Sequence, residues 1–306
     1  VSGPAAVITG VGLTLPDSVG DVTDLFDVSA SERGLFDREA GLRGRGMRHK
    51  DRASRLALRA ARSALGDAGL LDAETFTGPA ERTAVVVSSN LGNLDSVCSF
   101  VDIIARETVT GLSPLGLPHT SSNAVAGWVA IQYGLRGPNV TVCNGSTGGL
   151  DALFWARTLV AARRSDVAVV VGTEPDTEPV ARLLRQQDSG PAFDGAVAVV
   201  VESAEHARHR GVRARGVLAG YARARDLSAA ITAARGLDPR PVQLLDAETF
   251  TTRFGYCCGA LGVLQCAAGA TRLGRDDIDA VLATIGTAAG AEAAAALLLA
   301  RAEGVA

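Results

Sequence analysis

Short aliphatic segments of strand length alternate with helices rich in small residues, and the alternation runs through twice. This predicts an α/β fold with helices on both faces of its sheets. Three observations carry the prediction. Apolar runs recur at 5–15, 83–89, 166–172, 195–202 and 281–286, set off by glycine, proline or polar residues. Segments with apolar residues at helical spacing lie between them. Finally, 47% of the 306 residues are hydrophobic and 21% charged, with 35 glycines, which is enough to bury a large core.

Taken in order, 5–15 is a buried strand that ends in a glycine loop. Residues 32–50 are charged and glycine-broken, a surface excursion. Asp51 opens an amphipathic helix over 51–65. A strand follows at 83–89, then helices over 94–107 and 123–133. Residues 139–153 read as strand, glycine turn and helix, the helix continuing to 163. Strands at 166–172 and 195–202 close the first series. The second opens at 217–222, and 281–286 is its last clear strand. The Ala-rich stretch 288–300, interrupted by Gly290 and Glu292, reads as a packed helix. The second series is compressed, so the chain divides into a half over 1–210 and a shorter half over 211–306, forming one compact unit.

Composition excludes several classes of function. A formal net charge of -3 gives no global attraction to nucleic acid or acidic membranes. No run reaches transmembrane length and no basic leader opens the chain, so a cytoplasmic location is expected. Cys98, Cys143, Cys257, Cys258 and Cys266 lack the paired spacing of a zinc site. They are expected to be small buried residues in a reducing compartment, Cys143 within its strand. No metal or organic cofactor is implied.

The chemistry-bearing feature is Asn139-Val-Thr-Val-Cys-Asn-Gly-Ser-Thr-Gly-Gly-Leu-Asp-Ala-Leu153. A strand running through a tight turn into a helix holds a nucleophile against the positive end of that helix. The apex residue is Ser146, and a serine hydroxyl needs a positioned base. The four histidines are His49, His119, His206 and His209. His206 and His209 lie among arginines on a solvated helix, and His49 in the charged excursion, which leaves His119 as the one candidate neighbour. Asn144 breaks the Gly-x-Ser-x-Gly form of a hydrolase elbow. Two readings stay open at this point: a serine-dependent acyltransferase or esterase using Ser146, or a corner retained without its chemistry.

Along nearly its whole length the chain resembles the β-ketoacyl synthase family of the thiolase fold. The resemblance is carried by Val7-Ile-Thr-Gly-Val-Gly12, the helix over 51–65, Ser122-Asn-Ala-Val-Ala-Gly127, Tyr133-Gly-Leu-Arg-Gly-Pro-Asn139, the corner, and Pro191-Ala-Phe-Asp194. It implies duplicated βαβαβ layers in α-β-α-β-α order. A condensing member carries a cysteine at the apex and two histidines in its second half. Here Ser146 takes the cysteine's place and Tyr256 the place of a family histidine. The last histidine is His209, and Gly286-Thr-Ala-Ala-Gly290 replaces a glycine-phenylalanine loop.

Within that family the chain resembles the chain-length factor, the ketosynthase β subunit of type II polyketide synthases. That likeness implies a catalytically degenerate subunit paired with an active ketosynthase as a heterodimer, shaping a tunnel for an acyl chain. The chain would be delivered on the phosphopantetheine arm of an acyl carrier protein. It also implies tunnel or interface roles for Asp95, Cys98, Val101 and Asp102 on the 94–107 helix, and for Val140 and Val142 on the corner strand.

Overall fold

The computed structural model describes residues 4–15, 47, 50–273, 278–286 and 293–302. Most of the excursion at 32–50, including His49, residues 287–290 of the altered loop and residues 291–292 lie outside these. The strands are β1 (Ala6–Thr14), the small pair β2 (Leu71–Asp72) and β3 (Thr75–Phe76), β4 (Thr83–Ser88), β5 (Asn139–Val142), β6 (Val167–Glu174), β7 (Gly195–Ser203), β8 (Gly216–Ala224), β9 (Gln243–Leu245), β10 (Ala280–Ile285) and β11 (Ala294–Ala300). The helices are α1 (Arg52–Asp67), α2 (Leu94–Glu107), α3 (Ala124–Tyr133), α4 (Gly148–Ala161), α5 (Glu178–Gln186), α6 (Ala204–His209), α7 (Leu227–Arg235), α8 (Ala247–Phe254) and α9 (Leu261–Arg272).

Nine strands form one hydrogen-bonded sheet in the order β5-β4-β6-β7-β1-β8-β11-β10-β9. The two ends obey the same grammar. β4 and β6 are parallel, while β6, β7 and β1 follow antiparallel; β9 and β10 are parallel, while β10, β11 and β8 follow antiparallel. The repeats meet where β1 pairs with β8 over only two residue pairs, Val7↔Val217 and Ile8↔Gly216. The repeat is incomplete. Where the first half has residues 89–147, which carry α2, α3 and β5, the second has only 246–260, with α8 and a tight turn.

Side-chain alternation along the strands assigns the layers. Val85 and Val87 of β4, with Val167, Val169 and Val171 of β6, pack under α1 and α3. Their neighbours Ala84, Val86, Ala168 and Val170 face α4 and α9 in a central core. Val281, Ala283, Leu297 and Leu299 reach the same core from the second half. Leu282, Ala296 and Leu298 face α7. The result is the α-β-α-β-α sandwich that the resemblance implied. The two central helices cross where a Cβ on Gly149 would come within 2.7 Å of Gly262 N. Glycine is needed there for the approach.

One element differs from the sequence reading. Residues 294–300, expected to be helical, form β11. The run Ala-Ala-Ala-Leu-Leu-Leu-Ala is buried on both faces between β8 and β10, and a continuous apolar run carries no period to separate helix from strand. Pairing with β10 from Ala280↔Ala300 to Ile285↔Ala295 overrides alanine's helical propensity. No helix among the described residues is long and apolar enough to cross a membrane.

Candidate functional site

β5 stops at Val142 and α4 starts at Gly148, so residues 143–147 make the corner. Gly145 adopts φ +83°, a left-handed conformation that favours glycine, and Ser146 follows it at an exposed apex. Cys143 is exposed rather than buried, because the strand ends one residue before it. Its sulfur is still partly covered, and that desolvation raises the thiol pKa.

Two buried carboxylates fix the corner from behind. Asp151, in the first turn of α4, accepts from Asn144 Nδ2 at 2.5 Å and from Thr147 Oγ1 at 3.0 Å. From β8, the Tyr221 hydroxyl donates to its Oδ1, and Arg223 Nη1 lies 3.4 Å from Oδ2, the oxygen that Asn144 and Thr147 also reach. Tyr221 also stacks on Phe154 at 4.5 Å between ring centroids. A carboxylate at this position further complements the positive end of α4.

The second carboxylate is Glu174, at the end of β6 and only 1% exposed. Its Oε1 accepts from Asn90 N at 2.8 Å and Gly259 N at 3.1 Å, and its Oε2 from Leu91 N at 2.9 Å. Burial drives the carboxyl pKa up to about 7, against the pull of these bonds. Asn90 in turn clasps Gly145. Its Oδ1 accepts from Gly145 N at 2.9 Å, and its Nδ2 donates to Gly145 O at 3.2 Å. The same amide nitrogen lies 3.3 Å from Cys258 Sγ. The Ser146 corner and the Tyr256–Cys258 turn are thereby tied together.

Tyr256 is hydrogen-bonded to Cys258, and burial raises the pKa of both, Cys258 to about 11. A neutral phenol and a neutral thiol cannot do the work of an imidazole that exchanges protons near pH 7. His119 and His206 are engaged elsewhere. His119 is buried, with Nδ1 2.9 Å from Asp51 Oδ2 and its ring stacked on Trp128 at 5.7 Å. Asp51 caps α1 through Ser54 N at 2.7 Å, so His119 buttresses a helix start and is not the base for Ser146. His206 is not fully solvated as expected, since its Nδ1 lies 2.5 Å from buried Glu202, whereas His209 is exposed. No hydrogen bond from an imidazole to the Ser146 hydroxyl is present among the described residues.

The residues assigned by resemblance to a tunnel or interface fall in two places. No residue of α2 is buried: Asp95, Val101 and Asp102 are exposed, and Cys98 is half-buried. On β5, Val140 is half-buried while Val142 turns into the central core. β5 ends the sheet, pairing with β4 alone from Val85↔Asn139 to Ser88↔Val142. Asn90, Asp151 and Glu174 escaped the sequence reading. Glu174 carried one signal, a carboxylate closing the buried run Val-Ala-Val-Val-Val-Gly-Thr-Glu. Among the described residues no group of three His, Cys, Asp or Glu is arranged to hold a metal ion.

Comparison with known proteins agrees with this architecture. Residues 30–194 match the family described as Beta-ketoacyl synthase, N-terminal domain. The 3-oxoacyl-[acyl-carrier-protein] synthase 2 of Coxiella burnetii is 27% identical over 258 residues, covering 70% of this chain and 62% of that protein. A putative polyketide beta-ketoacyl synthase 1 of Streptomyces halstedii is 28% identical over 269 residues, covering 71% and 62%. The chain spans about half the length of the curated relatives it matches. Among solved structures, the ishigamide ketosynthase/chain length factor superposes with a TM-score of 0.74 at 22% identity, covering 97% of this chain and 99% of that one. A type II polyketide synthase acyl-carrier protein in complex with its ketosynthase gives 0.75 at 17% identity, covering 98% and 99%. With the five-layer fold, the duplicated sheet and the corner between strand and central helix in place, the chain belongs to the β-ketoacyl synthase family.

Proposed function

We propose that this chain is the non-condensing subunit of a polyketide ketosynthase pair, a chain-length factor whose work is structural. The observation that carries the reading is the corner itself. Its backbone is held in place by Asp151, Glu174 and Asn90, yet its apex is a serine, and the turn tied to it offers a phenol, Tyr256, and a thiol, Cys258, in place of an imidazole. Condensation would then use the cysteine and histidines of an active partner. This chain supplies one wall of the acyl tunnel, and an acyl carrier protein delivers the substrate to the pair.

Two further features support the reading. α2 presents Val101 and Ile104 to solvent, and the segment behind it adds Val109, Leu115 and Leu117. Exposed apolar surface of this extent marks a binding face. The free edge of β5 offers backbone groups to a strand from another chain.

Co-expression with an active type II ketosynthase tests the proposal. A stable one-to-one complex, and a shift in product length when Val101 is enlarged to Phe, are expected. Elution as a monomer that ignores the ketosynthase, together with unchanged product, overturns it. Incubation with an acyl carrier thioester followed by intact-mass measurement tests the serine-enzyme alternative. A stoichiometric acyl adduct lost in Ser146→Ala would replace the present reading.

A further inference from the structure

Glu174 does more than hold the corner. Its two oxygens serve different structures. Oε1 takes three donors, Asn90 N, Gly259 N and, at 3.4 Å, Asn90 Nδ2, and so holds the corner and the second-half turn. Oε2 takes one donor, Leu91 N. The Leu91 carbonyl in turn accepts from Leu94 N, the first residue of α2, at 3.1 Å. One buried carboxylate therefore joins the apex loop, the second-half turn and the start of the exposed helix.

We infer that Glu174 is a positioning residue that couples the start of α2 to the Ser146 corner and releases α2 on taking up a proton. The site of protonation follows from the donor count. An oxygen with three N–H groups aimed at it has no room for a hydrogen of its own, so the proton goes to Oε2. A protonated Oε2 has lost its charge and offers Leu91 N–H only a weak hydroxyl lone pair, so that bond is weakened. Oε1 keeps its partners, and the corner stays in place. Protonation thus loosens one end of the partner-facing helix while leaving the apex as it was.

The groups facing Glu174 are the Asn90 amide, Tyr256, Cys257, Cys258 and, from the corner, Cys143. The pKa of each of these phenol and thiol groups is raised, so none of them gains charge between pH 6 and 8. The carboxyl, with its pKa near 7, is the group that titrates in this window. The inference rests on reading α2 as partner-facing. Its test needs no partner, so the two fail separately.

The experiment is amide hydrogen exchange on the isolated full chain at pH 6, 7 and 8, corrected for intrinsic exchange, with Leu91, Leu94, Gly145 and Gly259 followed individually. In the wild type, protection at Leu91 and Leu94 is expected to fall by about tenfold from pH 8 to pH 6, the fall in ionised carboxyl across a pKa near 7. Protection at Gly145 and Gly259 should not change. Glu174→Gln should remove the pH dependence at Leu91. Asn90→Ala should expose Gly145 alone and leave the Leu91 profile as in the wild type. A Leu91 protection that is flat with pH in the wild type overturns the inference. So does a loss of protection at all four amides together on acidification, since that reports general loosening. Should Glu174→Gln not fold, the wild-type profile and Asn90→Ala decide the matter.

Discussion

α1 and α2 are both amphipathic, of similar length, and start from an Asp and an Asn cap position, yet the molecule treats them oppositely. α1 buries nine residues, among them Leu56, Leu58 and Leu65, and its cap Asp51 is itself gripped by His119. α2 buries none, and its Asn93 makes no capping bond to the helix; the Asn93 amide instead donates to Thr120 O. The apolar face of α2 is only half covered by its own chain, chiefly by α5 and the turns at 109–111 and 117–120, so packing stabilises it less than α1. The difference teaches that hydrophobic patterning fixes what kind of element forms, while topology decides how deeply its apolar face is covered.

The comparison can be broken or sharpened by mutation. Leu56→Ala, in the fully buried face of α1, is expected to cost about 2–5 kcal/mol in urea unfolding. A loss under 1 kcal/mol would mean that α1 is no more a core helix than α2. Glu174 comes next. Its folded pKa of about 7 lies above the ordinary carboxylate value, so it favours folding while protonated. That contribution is fully present below about pH 4.5 and is lost as pH rises through 7. Relative to Glu174→Gln, wild-type stability should decline by about 3 kcal/mol across that window. Global stability and the grip on α2 therefore move in opposite directions with pH, and unfolding curves set beside exchange data reveal it.

Asp51→Ala removes the α1 cap and strands His119 beside Trp128, which should cost about 1–2 kcal/mol by thermal unfolding. The smallest effect on stability belongs to α2. Val101→Asp and Ile104→Asp should change unfolding free energy by less than about 0.5 kcal/mol. In co-purification the same substitutions should abolish capture by a ketosynthase. A large loss of stability without loss of partner would reverse the assignment of the two helices.

What the sequence made legible was local. Val-rich strands, the Asp51 cap, the 94–107 helix and the glycine corner announce themselves by period and punctuation, and each stands where expected within a residue or two. β11 did not, because an alanine-leucine run buried on both faces has no polar side to betray its period. Glu174 and Asn90 were hidden for another reason. Their meaning lies in bonds to Leu91, Gly145 and Gly259, residues brought together only by the parallel pairing of β4 with β6 and by the crossing of the central helices. The misjudged exposure of Cys143 turned on where a strand stops, a boundary that single-sequence patterns place poorly.

The abbreviated second half has a consequence for stoichiometry. The sheet has two termini, and they are unlike. At one, β5 is a four-residue strand with a free flank; at the other, β9 is three residues long and preceded directly by Pro241-Val242. A short strand behind a proline is a poor template for further pairing. The molecule thus has one open edge and one blunt edge. On the pairing proposed above, growth through β5 would stop after a single addition, giving a closed pair that does not propagate as a fibre.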